Sequence, residues 1–220
     1  MEANAGSLDL EKEALLREGF VDLDDQEVGE DVWKFEQDEF PFHTQASLDL
    51  LQKHILDNSR VRPIVEWFFG GNRCVLAHYL RYGPLPGKIE CFQTGVQEKD
   101  RRALMIYLLA KGSRVNFYAY SHLRAFPTIG GRRLTYELAP DALQEAGCQV
   151  HEKNFSVGGS VIVDARLGRE ISAGYAITVG FMTEELVAKM RPMVLPNDAG
   201  LKEKVSGMQS EKIGLNFAFQ

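Results

Sequence analysis

Gly-Gly-Ser-Val-Ile-Val-Asp-Ala-Arg-Leu (158–167) and Gly-Tyr-Ala-Ile-Thr-Val-Gly-Phe (174–181) are two short apolar runs, each opened by glycine. That length and punctuation predict a pair of strands joined by a tight connection. In the first, Ile162, Asp164 and Arg166 project together, which makes Asp164 and Arg166 i, i+2 neighbours of opposite charge. In the second, Tyr175, Ile177, Val179 and Phe181 share one side.

The same texture extends upstream as far as Arg73, in short runs divided by Gly and Pro. Residues 75–82 alternate, Pro84-Leu85-Pro86-Gly87 turns, and 88–94 alternate again. Residues 103–110 are continuously apolar, which fits a strand buried on both faces, although periodicity alone also admits a helix. On 114–120, Arg114, Asn116, Tyr118 and Tyr120 share a polar-aromatic face, and Val115, Phe117 and Ala119 share a core face. A short helix is predicted over 140–147 and a strand over 149–155. Thr183 is placed to cap a helix running to Arg191, and 197–220 read as a helical segment with a loosely held tail.

Toward the N-terminus, Ser7 or Asp9 can cap a helix over 10–18 that Gly19 ends, followed by an acidic connector over 21–31. Phe40-Pro41-Phe42-His43-Thr44 reads as extended. Leu48, Leu51 and Ile55 then repeat at helical spacing up to residues 57–58, and Pro63 starts another helix that Gly70-Gly71 closes. Trp67, Phe68 and Phe69 are expected beneath a sheet.

A chain of 220 residues that is 45% hydrophobic supports one sizeable core. No apolar run reaches the roughly 20 residues that span a bilayer, and no basic-then-apolar leader opens the chain, so the expectation is a soluble cytoplasmic protein without membrane contact. Cys74, Cys91 and Cys148 are odd in number and lack CxxC spacing, which argues for free thiols over disulfides or zinc. The formal charge of −6 is unevenly spread: residues 1–39 carry −11 and the remainder +5. This divides the chain into an acidic arm (1–39), a body (40–196) and a C-terminal helical tail (197–220). The arm is expected to be solvated, with docking on the basic body as the alternative. No Lys/Arg stripe interleaves with aromatics, so nucleic acid is not expected, whereas a small anionic substrate and a possible homodimer fit the body.

Taken with Phe117-Tyr118-Ala119-Tyr120-Ser121-His122-Leu123, the strand pair resembles the closing half of the barrel in phytanoyl-CoA dioxygenase-like proteins of the Fe(II)/2-oxoglutarate oxygenase superfamily, fungal members among them. Ala119-Tyr120-Ser121-His122 is similar to the family's Pro-Gly-Ser-His stretch. The stretch 158–169 is similar to the strand that ends in the distal metal-binding His, with Arg169 near that position. The family's His-x-Asp pair falls in or near Glu90-Cys91-Phe92-Gln93-Thr94-Gly95, and its 2-oxoglutarate-binding Arg falls within 175–182, where this chain has none. The resemblance spans roughly residues 40–190. It implies a mainly β (α+β) fold, a double-stranded β-helix or cupin-like barrel with flanking N-terminal helices, and a ligand-sized cavity. The departures imply no metal and no cofactor.

None of His43, His54, His78, His122 or His151 is followed two places later by Asp or Glu, the spacing that sets two ligands on one strand face. His54 and His151 are expected at the surface or in a second layer, while His78 could face either way. A rearranged metal site from His78, His122 and Asp164 is the minority reading. For metal-free chemistry, the candidate catalytic residues are His122, Asp164 and His43, with Arg114, Tyr118, Arg166 and Arg81 binding substrate. Against this, Asp164–Arg166 can be a structural ion pair, Ser121-His122 a loop fastening, and Phe40–Thr44 a packing clamp. Three functions follow: a metal-independent isomerase, cyclase or lyase of specialised metabolism; an Fe(II)/2-oxoglutarate oxygenase with altered ligands; and a non-catalytic binding or scaffolding protein.

Overall fold

The computed structural model describes residues 2–23, 25–97 and 102–220, with side chains from Ser7 onward. Helix α1 (Glu2–Glu18) stops at Gly19, whose φ of +87° is left-handed and suits glycine. The chain continues through β1 (Phe20–Leu23), α2 (Gln26–Gln37), α3 (Gln45–Leu51) with a π-helical turn (Gln52–Leu56), and α4 (Val61–Phe68). The sheet-rich part follows: β2 (Cys74–Tyr82), β3 (Ile89–Cys91), β4 (Ala103–Leu109), β5 (Ser113–Ala119), β6 (Thr128–Gly130) and β7 (Tyr136–Leu138). After α5 (Pro140–Glu145) come β8 (Gln149–Phe155), β9 (Gly159–Asp164), β10 (Gly168–Ala173) and β11 (Ala176–Thr183). Helix α6 (Glu184–Val187), β12 (Met193–Leu195), α7 (Ala199–Met208), β13 (Ile213–Leu215) and β14 (Phe217–Phe219) complete the chain.

Two six-stranded sheets face one another, in the orders β1-β9-β4-β11-β2-β13 and β6-β7-β3-β10-β5-β8. All their pairings are antiparallel except β13 on β2. This is the expected double-stranded β-helix. The first sheet is buried on both faces, which explains the unbroken apolar run of β4. Leu104, Ile106 and Leu108 point into the helical layer, and Ala103, Met105, Tyr107 and Leu109 point into the barrel. On β11, Ile177, Val179 and Phe181 face the helices together with Tyr175, as their spacing predicts. The outer face of the second sheet carries a smaller core of Ile89, Cys91, Leu138 and Leu143, which brings α5 onto it.

The division at residue 39 does not survive as a structural boundary. β1 is an edge strand of the main sheet, with Phe20 opposite Val163 and Leu23 opposite Ser160. Phe20 stacks on Phe117 inside the barrel at 4.6 Å between ring centroids. The expected acidic connector is β1 followed by α2, capped by Asp25 and burying Val28, Val32 and Phe35. Acidic side chains of the arm meet basic ones of the body in Glu11–Arg60 (2.7 Å), Asp22–Lys153 (2.9 Å) and Glu27–Lys53 (2.7 Å). The tail is likewise integral, because α7 buries Leu201, Val205 and Met208 and β13 pairs with β2. The helix after Thr183 is only four residues long. Cys74, Cys91 and Cys148 are free thiols. Among the described residues no helix is long and apolar enough to cross a membrane.

Candidate active site

The polar centre of the barrel is built around Phe92, which follows β3. Its ring lies 6.4 Å from that of His78, 5.4 Å from that of Tyr82 and 4.5 Å from the guanidinium carbon of Arg169. His78 reaches the interior through a bulge: Gly180 pairs with His78 but Phe181 pairs with Leu76, so Ala77 has no partner on β11. The ring occupies space that glycine leaves open, since a β-carbon on Gly180 would stand 2.6 Å from Cε1 of His78. Thr178 shares the inward alternation of Ala176 and Met182 on β11, and Tyr107 comes from β4.

From the opposite sheet come Glu90 and Arg169, cross-strand partners on β3 and β10. Glu90 alternates with the outward Ile89 and Cys91, and Arg169 with the outward Gly168 and Glu170. The Arg169 side chain is 1% exposed. Its Nη1 donates to the Glu90 backbone carbonyl at 2.8 Å and stands 3.5 Å from a Glu90 carboxylate oxygen. That carboxylate is already engaged: Arg132 Nε donates to both its oxygens (3.2 and 3.1 Å), and the Thr135 hydroxyl donates to one at 2.7 Å.

Among the described residues, many polar atoms of this interior are buried without a well-formed hydrogen bond: both nitrogens of His78, the hydroxyls of Tyr82, Tyr107 and Thr178, and Nε and Nη2 of Arg169. A native interior pairs most such atoms, so a cluster of orphans in one place marks a site that a ligand or solvent completes. Burial pushes the His78 imidazole down to about 4, so it is neutral at neutral pH. Burial also raises the Tyr82 and Tyr107 hydroxyls, against the opposing pull of the Arg169 charge, and keeps both protonated.

The residues singled out from the sequence lie elsewhere. Asp164, Arg166 and His122 do come together, in a cleft of about 560 Å³ that also touches Leu15, Trp67 and Val96. Asp164 ends β9 and Arg166 sits in the following turn, where its Nε and Nη2 grip the two carboxylate oxygens at 2.9 and 2.7 Å. His122 Nε2 donates to the Leu16 carbonyl at 3.0 Å, which pins the end of α1. Its Nδ1 lies against Gly19, where an added β-carbon would come within 2.5 Å, and burial lowers its proton affinity. Arg166 thus holds both oxygens of Asp164, whereas Nδ1 of His122 is buried without a hydrogen-bond partner among the described residues.

Arg114 is exposed and Tyr118 lies on the outer face of β5, its hydroxyl 3.5 Å from Glu170. The polar face of that strand looks outward, because Val115, Phe117 and Ala119 fill the barrel. Arg81 points into the helical layer, its guanidinium carbon 4.6 Å from the Phe40 ring and 4.4 Å from the Tyr175 ring. His43 is exposed and its Nδ1 meets the Val194 carbonyl at 2.9 Å, so its segment is a packing clamp on β12 rather than a barrel lid. His54, expected at the surface or in a second layer, is buried and paired with Asp31 at 3.0 Å.

The Fe(II) and 2-oxoglutarate of the resembling family do not fit this donor set. Among the described residues no three of His, Cys, Asp and Glu converge. The position near the distal His holds Arg169, whose charge opposes a divalent cation, and the Glu90 oxygens are committed to Arg132 and Thr135.

No protein-family model matches the chain. No curated protein matches it either. Solved structures do. The epimerase SnoN in complex with Fe3+, alpha ketoglutarate and nogalamycin RO is similar at a TM-score of 0.55 and 15% identity, over 81% of this chain and 84% of that one. EctD from S. alaskensis with 2-oxoglutarate and 5-hydroxyectoine gives 0.50 and 13% over 79% and 75%. HygX from Streptomyces hygroscopicus with nickel and 2-oxoglutarate gives 0.50 and 12% over 80% and 86%. Likeness at this identity establishes a shared fold.

Proposed function

We propose that this protein is a metal-independent enzyme of specialised metabolism that moves protons within a small anionic metabolite held in the barrel, as an isomerase, cyclase or lyase. The observation that carries the reading is the neutral, unpartnered His78 imidazole in an interior shared with the Tyr82 and Tyr107 hydroxyls. A neutral imidazole accepts a proton, and an arriving anion raises its affinity for one by stabilising the imidazolium. The two phenols stay protonated and can donate to oxygen charge that develops in the substrate. His78 therefore takes the role that the sequence alone gave to His122, Asp164 and His43.

The test is solvent exchange. Protein treated with a chelator is incubated in D2O with a panel of small carboxylic acids, and deuterium incorporation at carbon is followed by NMR. Incorporation that persists without metal and falls at least about 100-fold in His78→Gln is expected. Turnover seen only with added Fe(II), 2-oxoglutarate and oxygen would install the oxygenase reading instead.

A further inference from the structure

Two arginines three residues apart present the same guanidinium edge to different surroundings. In Arg166, Nε and Nη2 hold both oxygens of Asp164 at 2.9 and 2.7 Å. In Arg169 the same two nitrogens are buried and make no well-formed hydrogen bond among the described residues, with the Tyr107 hydroxyl close to the guanidinium, while Nη1 is anchored on the Glu90 carbonyl at 2.8 Å. The anchoring fixes the plane of the Arg169 guanidinium and leaves its two-pronged edge aimed into the barrel. We infer that this edge is the seat of a carboxylate, and that the ligand class is a monocarboxylic acid with a flat, apolar body. The inference rests on the barrel interior being the functional site and specifies what it binds.

Charge supports the assignment. Arg132 and Arg169 bring two positive charges to the single negative charge of Glu90, whose oxygens Arg132 and Thr135 already occupy. Among the described residues, Glu90 is the one carboxylate paired with Arg169, and it is shared with Arg132, so part of the Arg169 charge stays unmatched in a buried interior, where such an ion is costly. One monoanion cancels it, whereas a phosphate dianion overshoots. Geometry favours the same class, because two parallel N–H donors match a planar pair of oxygens. The Phe92, Tyr107 and Tyr82 rings stand 4.5, 5.7 and 5.8 Å from the guanidinium carbon, so the body of a ligand on this edge meets aromatic surface rather than charged groups. Thr178 and His78 supply the remaining unpaired polar atoms.

The full-length protein is titrated with 13C-labelled formate, acetate and benzoate, with benzamide as the neutral match of benzoate and inorganic phosphate as the rival anion, by NMR line broadening and thermal unfolding. Carboxylate binding is expected, with benzoate strongest and benzamide at least roughly tenfold weaker, the loss that follows from removing a charge-assisted pair. Arg169→Lys, which keeps the charge but not the fork, should weaken benzoate by a similar factor. Equal binding of benzoate and benzamide by the unaltered protein, or tighter binding of phosphate than of any carboxylate, overturns the inference even if the variant does not fold. Carboxylate binding without deuterium exchange would remove the proton-transfer reading and leave this one standing. Exchange that is indifferent to Arg169→Lys would do the reverse.

Discussion

The imidazole of His78 fills the place where a side chain on Gly180 would begin, its Cε1 2.6 Å from the β-carbon that glycine lacks. A bulge on one strand and a glycine on its neighbour together turn a histidine into the barrel. Gly180→Ala should therefore push the ring out of position, cost about 1–3 kcal/mol of stability through overpacking, and abolish solvent exchange into bound acids. Urea denaturation and the D2O assay check the two parts separately.

His78 also sets a pH dependence. Its affinity for protons falls from the ordinary histidine value of 6.5 to about 4 in the folded chain. The unfolded chain binds the proton more tightly, so stability is complete above the unfolded value and declines as pH drops from 6.5 toward 4, by roughly 3 kcal/mol. His122 is shifted in the same direction by burial and adds to the slope. His78→Gln should flatten the decline without removing it, as measured by denaturant midpoints across that range.

Asp164 and Arg166 form a buried pair, with side chains 3% and 6% exposed. Removing one partner strands the other charge. Asp164→Asn should lower stability by about 3–5 kcal/mol while leaving benzoate affinity in the surviving folded fraction unchanged. Thermal unfolding with parallel ligand titration tests this, and a loss of affinity without a loss of stability would return Asp164 to the site.

Phe20 tests whether the acidic arm belongs to the fold. It is 2% exposed and stacks on Phe117, so Phe20→Ala should cost about 3–5 kcal/mol, a loss far beyond that of trimming a solvated tail. Calorimetry of the variant gives the answer directly.

Strands were readable in the sequence wherever alternation or its absence was clean. The unbroken apolar run 103–110 fits a strand buried on both faces while admitting a helix, and Val115, Phe117 and Ala119 mark an inner face. In the arm, a charge of −11 over 39 residues overlies Val28, Val32 and Phe35 at helical spacing, so composition points to a solvated tail where periodicity points to a packed helix. The site was displaced for two reasons of geometry. Pattern distinguishes the two faces of a strand but does not say that polar residues face the barrel, and on β5 they face outward. Parity also fails across a bulge, so the inward turn of His78 could not be counted from Val75. Arg169 enters the sequence reading only through the family resemblance, as the residue near the distal His position, and its pairing with Glu90 comes from register alone.

The main sheet is bounded by β1 at one edge and β13 at the other, and β13 lies beside the very strand that carries His78. During synthesis, β1 emerges long before its partner at residues 159–164 and β2 long before residues 213–215. The barrel cannot be assembled in the order it is made. The strand that carries His78 remains an open edge, able to pair with another nascent chain, until residues 213–215 arrive. Expression at low temperature or with abundant chaperone should therefore raise the yield of native protein more than any change to its surface.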